Sequence, residues 1–125
     1  MMERPYLHIV PAQLYGASGD DLVMFRHLSR IFLDSAPAMF ERMLAASGSA
    51  SAGASQACAA ACHALRGVTV LVGAHALSAP LLELEQQASH GAIPPAAALE
   101  AVRQQLLLVC AEVARSIEEY TGAAP

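Results

Sequence analysis

Apolar positions recur along this chain at three- and four-residue steps, the spacing of helices that bury one face. From about Asp21 to Ala46 that face is Phe25, Leu28, Phe32, Ala36, Met39 and Met43; Pro37 lies within the stretch and is expected to bend it. A second stretch runs from about Gln56 to Val72 and stops at Gly73. A third, from about Ala74 to Ser89, turns Leu77, Leu81, Leu84 and Ala88 inward, with Pro80 as an interruption. Proline is well tolerated in a first helical turn, so Pro95 opens the last helix, which stacks Leu99, Val102, Leu106, Val109, Val113, Ile117 and Tyr120 in a near-heptad row. Ahead of these, Tyr6 to Tyr15 is apolar but broken by Pro11, which suggests a short helix or turn. Gly16–Gly19 reads as a loop and Asp20 as the following N-cap. Ser47–Ser55, low in complexity, reads as a flexible loop, and Ser89–Pro94 as a second connection. Short loops between long helices predict an all-α, antiparallel up-and-down four-helix bundle with a short N-terminal helix or turn. One domain, 1–125, accommodates it: bundle about 20–120, loop 47–55, tail 121–125.

Composition supports the helical reading, with 55% apolar residues, only 5% aromatic residues and no tryptophan. A net charge of −4 argues against nucleic acid as a partner, because the seven basic residues, all arginine, are scattered rather than clustered. Mean hydropathy is positive, yet no apolar run approaches the roughly 18–20 residues of a membrane span. Met1–Pro5 lacks the apolar stretch of a signal peptide, so a cytoplasmic location is expected. There Cys58, Cys62 and Cys110 are expected to be reduced and structural.

Candidate chemistry concentrates in the second long helix. On a helical wheel Ala61, Leu65, Val68 and Val72 gather on the core side, and His63 points away from them. Its outward neighbours are Gln56, Ala59, Ala60, Arg66, Gly67 and Val70. That flank is small or apolar apart from Gln56 and Arg66, where a solvated helix would carry Glu and Lys, and so it reads as a docking surface. Gly67 costs its helix about 1 kcal/mol relative to alanine. It lies one turn beyond His63 on the same side, where core packing does not explain it but access by a partner does. Arg66, at i+3, can pair with the oxygens of a phosphoryl group carried on the ring. An exposed, uncharged imidazole keeps one nitrogen lone pair able to attack phosphorus.

His63-Ala-Leu-Arg-Gly-Val, then Gly73-Ala74 ten and eleven residues after the histidine, then Leu77, Leu81, Leu84 and Glu85, resembles the histidine-containing phosphotransfer (HPt) family. Gly19-Asp-Asp-Leu with Phe25 and Phe32-Leu-Asp-Ser-Ala-Pro37 resembles the family's first bundle helix, so the likeness spans roughly Leu14 to Tyr120. It implies that His63 accepts a phosphoryl group, that Arg66 replaces the usual lysine, and that Gly67 admits the partner. Glu85 falls where the family sometimes has a polar residue orienting the imidazole. The implied partners are receiver domains of a hybrid histidine kinase and of response regulators, which supply the aspartate and the Mg²⁺. The chain itself is then a monomeric carrier rather than an enzyme, with no cofactor of its own. Val68 and Val70-Leu71 depart from the small or polar residues usual at those positions; Val68 is expected to alter packing, and Val70 to tune which receiver is accepted.

Other readings are weaker. Cys58-x-x-x-Cys62-His63 has the wrong spacing for covalent haem and lacks further ligands for zinc, and both cysteines flank the core side. His8, His27, His75 and His90 have no partner spacing that suggests chemistry. A histidine-kinase phosphoacceptor helix usually carries proline shortly after the histidine, which is missing here. A module that docks on a receiver without carrying phosphate is the main alternative.

Overall fold

A computed structural model describes residues 5–123, so the first four residues and Ala124–Pro125 of the expected tail lie outside the described residues. Five α-helices follow one another: α1 (Pro11–Ala17), α2 (Leu22–Ser47), α3 (Ala54–Leu71), α4 (Ser78–Ser89) and α5 (Ala96–Thr121). A single 3₁₀ turn, His75–Leu77, leads into α4, and the described residues contain no strand. α2 packs against both α3 and α5, and α4 packs against α3, so this all-helical bundle is built around α2 and α3.

The inward rows follow the sequence periodicity, with shifts of one position. α2 buries Phe25, Ser29, Phe32, Ala36, Phe40 and Met43, while Leu28 and Met39 are only half-buried. α5 buries Leu99, Val102, Leu106, Val109, Val113 and Ile117. Tyr120 stacks on Phe25 at 4.8 Å between ring centroids, and Tyr15 meets both rings at 6.0 and 5.7 Å, which ties α1, α2 and α5 together at one end.

The ends of the elements differ from the sequence expectation in ways that local chemistry explains. Pro11 opens α1 instead of breaking it, because its missing N–H is one that a first turn leaves unpaired anyway. Gly16 and Ala17 are helical rather than loop. The cap of α2 is Asp21, whose carboxylate accepts from the Met24 N–H at 3.0 Å, and not Asp20. Asp20 has a left-handed φ of 55°, and its N–H donates to the Tyr15 carbonyl at 3.0 Å, so it closes α1 instead. Pro37 sits on the exposed side of α2, which continues to Ser47. Pro80 does not interrupt a helix; it occupies the first turn of α4, which starts only at Ser78.

Residues 5–10 form a strap against α5, bent at Leu7 and His8. The N–H groups of Leu7 and His8 donate to the two oxygens of Glu112 at 3.0 and 2.8 Å, the Arg115 guanidinium lies 4.0 Å from the Tyr6 ring centroid, and the Tyr6 hydroxyl bonds to Glu119. At its far end the Val10 N–H donates to the Val72 carbonyl at 3.0 Å. Gly73 makes this crossing possible: its φ is +75°, and a Cβ there would stand 2.6 Å from Val10. The strap thus fixes the turn between α3 and α4, the two helices that carry the candidate site.

Candidate functional site

The core side of α3 is formed by Cys58, Ala61, Cys62, Leu65 and Thr69, all buried; Val72, just beyond its end, is buried as well. His63 therefore emerges on the opposite side, its side chain 69% exposed. Arg66 follows at i+3, close enough for its Nη2 to lie 3.4 Å from the His63 Nδ1. Across the interface α4 contributes Glu85. One of its oxygens, Oε2, is 3.1 Å from the His63 Nδ1; the other, Oε1, accepts from the Arg66 Nε at 3.3 Å and from Nη2 at 3.1 Å. Arg66 and Glu85 are 29% and 22% exposed, so their ion pair lies in the α3–α4 seam while the ring stands in water.

Two groups compete for Nδ1: the Arg66 Nη2 at 3.4 Å can only donate, and an ionised Glu85 at 3.1 Å can only accept. With the shorter contact, to Glu85, made as a hydrogen bond, the ring proton sits on Nδ1. Nε2 then keeps its lone pair, on the edge of the ring away from the Glu85 contact.

The surroundings of His63 are open. A Cβ on Gly67 would meet nothing within 4 Å, so nothing in the chain's own packing excludes a side chain there. Ala60 and Val70 are exposed, Ala64 is half-buried, and Gln56 is exposed with its amide donating to the Ser89 carbonyl at 3.1 Å. Ala59 departs from the expected outward face: at 8% exposure it belongs to the core, because it sits on the edge of α3 turned toward its neighbours. Val68 is half-buried and lines, with Leu14, Leu28, Ile31, Phe32, Leu71 and Val72, an apolar recess of about 200 Å³. Sequence reasoning missed Ile31 and the role of Leu71 in this surface. Their signal was an apolar side chain at an exposed position, 45% for Ile31 and 52% for Leu71. It missed Gln13 too, which donates to the Val70 carbonyl at 2.8 Å and joins α1 to the end of α3.

The cysteines stay apart from this chemistry. Cys58 and Cys62 are fully buried, and the Cys62 thiol contacts the Met43 sulfur at 3.1 Å. Burial, reinforced by Cys58, pushes the Cys62 thiol up to about 12, far from the range of a reactive thiolate. Among the described residues no group of three or more His, Cys, Asp and Glu is placed to hold a metal ion, and no helix is long and apolar enough to cross a membrane.

The family model of the Hpt domain matches residues 27–119, which include α3, α4 and the whole His63–Arg66–Glu85 cluster. Comparisons with curated proteins and with solved structures give no match.

Proposed function

The chain belongs to the Hpt domain family, whose members take part in histidine phosphotransfer with receiver domains, and on that premise we propose that it relays a phosphoryl group between receiver aspartates through phosphohistidine at His63. The observation that carries this reading is a 69% exposed imidazole whose Nδ1 is engaged by Glu85, leaving Nε2 as the free nucleophile. The Nε2 lone pair attacks the phosphorus of a receiver phospho-aspartate in line. The N–P bond forms as the P–O bond breaks, and the aspartate carboxylate leaves with the electron pair. Onward transfer is the reverse step toward a second receiver. Positioning, together with the Mg²⁺ held by the receiver, supplies most of the rate.

Gly67 leaves room for the receiver's aspartate and metal to approach the ring, and Gln56, Ala60 and Val70 border the docking face. Ala59, being buried, drops out of that face. The intended donors and acceptors are the receiver domains of a hybrid histidine kinase and of response regulators, in the cytoplasm. The carrier acts as a single-domain monomer, an antiparallel up-and-down bundle of α2 to α5.

Incubation with a radiolabelled phospho-receiver tests the proposal. Label that is acid-labile and base-stable is expected on the protein, and His63→Gln should abolish it with helix content unchanged. Equal labelling of that variant would refute the assignment. Binding without any label would favour a docking module instead.

A further inference from the structure

α4 packs on α3 and α5 packs on α2, but α4 and α5 do not close against each other. Between them lies a cleft of about 440 Å³, a volume typical of small-molecule sites. Its floor belongs to the inward rows of both sides: Leu77 and Leu84 on the side of α4, and Val102 on α5. Small side chains keep it open, since Ala98 and Ala101 stand on α5 where larger residues would fill the gap. Apolar surface is thus left to water along one seam of the bundle, and an apolar occupant would remove it from water.

The polar groups around the cleft carry no positive charge. Glu83, Gln87 and Gln105 border it, and no arginine or histidine does. Glu83 accepts the Gln87 amide at 3.4 Å and has no cationic partner among the described residues. It lies two residues before Glu85, a step of about 200° around the helix. Glu83 therefore borders the cleft while Glu85 faces His63 and Arg66, and the two sites occupy opposite sides of α4. A carboxylate without a counterion beside an apolar floor repels fatty acids, phosphates and other anions, and it attracts a cation.

We propose that the α4–α5 cleft binds a small amphipathic cation, an amine whose apolar body covers Leu77, Leu84 and Val102 and whose ammonium group pairs with Glu83. The apolar body supplies most of the affinity, and the ion pair selects the charge. The site requires no phosphoryl chemistry at His63 and stands whether or not the chain is a carrier.

The test titrates the whole ¹⁵N-labelled chain with 4-phenylbutylamine and, in parallel, with its neutral and anionic counterparts 4-phenylbutanol and 4-phenylbutyrate. Saturable amide shifts are expected for the amine at Leu84, Ala98 and Val102. The alcohol should bind about threefold more weakly, the effect of one solvent-exposed ion pair, and the butyrate more weakly still. Added salt should narrow the difference between amine and alcohol. Glu83→Gln should bring those two to the same affinity. Ala101→Leu fills the cleft from an exposed position with a good helix former, so helix content should be unchanged while both ligands bind about tenfold more weakly. His63→Gln should bind the amine as the wild type does. Equal affinities for amine and alcohol in the wild type, shifts that fail to saturate or that cluster away from the cleft, or undiminished binding in Ala101→Leu would overturn the proposal. So would broadening of the cleft resonances that grows with protein concentration alone, because a second copy of the chain would then be the occupant.

Discussion

At the scale of single residues, the site is defined as much by what is missing as by what is present. Gly67 lies in the interior of α3, where alanine would strengthen the helix, and nothing in the chain comes within 4 Å of the Cβ it lacks. Gly67→Ala should therefore stabilise the fold by about 0.5–1 kcal/mol in urea unfolding. The same substitution should slow phosphoryl transfer from a receiver, because the added methyl stands where the partner approaches. A variant both more stable and equally fast would show that the open space at Gly67 is unrelated to docking. One residue from His63, Cys62 illustrates the opposite condition. Its thiol is raised in the folded state to about 12 from an ordinary value near 9, so the folded state holds that proton more tightly than the unfolded one. Its contribution to stability is then complete below pH 9 and declines as the pH rises toward 12. Urea midpoints measured across that range should fall, and Cys62→Ala should fall less steeply. Thiol reagents should react with Cys62 only after unfolding.

At the scale of elements, helix ends decide more than helix interiors. Periodicity alone located all four long helices, since rows such as Leu99–Val102–Leu106–Val109–Val113 have a single inward direction whatever packs on them. Their boundaries were less legible. Asp20 and Asp21 are equivalent cap candidates in one dimension; the choice falls to Asp21 because the chain leaves α1 through a left-handed residue, and Asp20 takes that conformation. Asp21→Ala should cost about 1 kcal/mol, as loss of an N-cap usually does. Asp20→Gly should cost nothing, because glycine accepts a positive φ without strain. Thermal unfolding of the two variants separates them, and a larger loss at Asp20 would refute this assignment. Pro80 carries the same lesson. Within an apolar row it reads as an interruption, but the 3₁₀ turn His75–Leu77 delays the start of α4 until Pro80 falls in its first turn.

At the scale of the whole molecule, the strap of residues 5–10 links two parts that are distant in sequence: α5 through Glu112 and Arg115, and the α3–α4 turn through Val10 and Gly73. Glu112 receives two backbone N–H groups, so Glu112→Ala leaves both without their acceptor. A loss of about 1–3 kcal/mol is expected, read as a lower urea midpoint, along with faster amide exchange at Leu7 and His8. Phosphoryl uptake by His63 should be retained, because Glu112 holds only Leu7 and His8, whereas the α3–α4 turn is held by the separate contacts of Val10 with Val72 and Gly73. Loss of uptake in a folded Glu112→Ala protein would mean that the strap supports the site more directly than its contacts indicate.

What the amino-acid order settled unaided is the class of fold and the direction in which His63 points, for both follow from periodicity within one helix, where neighbours at three and four residues are fixed by the 3.6-residue turn. Arg66 beside the ring and the bare surface at Gly67 are legible for the same reason. Partnerships between helices do not follow from periodicity; only the family resemblance pointed to Glu85 beside the imidazole, and it said nothing of the Glu85 bond to Arg66. That Glu85 divides its carboxylate between His63 and Arg66 depends on the lateral register of α4 against α3, and that register is set by the Gly73 turn, the crossing of Val10 and the late start of α4. Ala59 was misplaced on similar grounds, since a residue at the edge of a helical face is buried or exposed according to what packs alongside it. Contacts within a helix are a property of the chain; contacts between helices belong to the packing, and only the folded arrangement decides them.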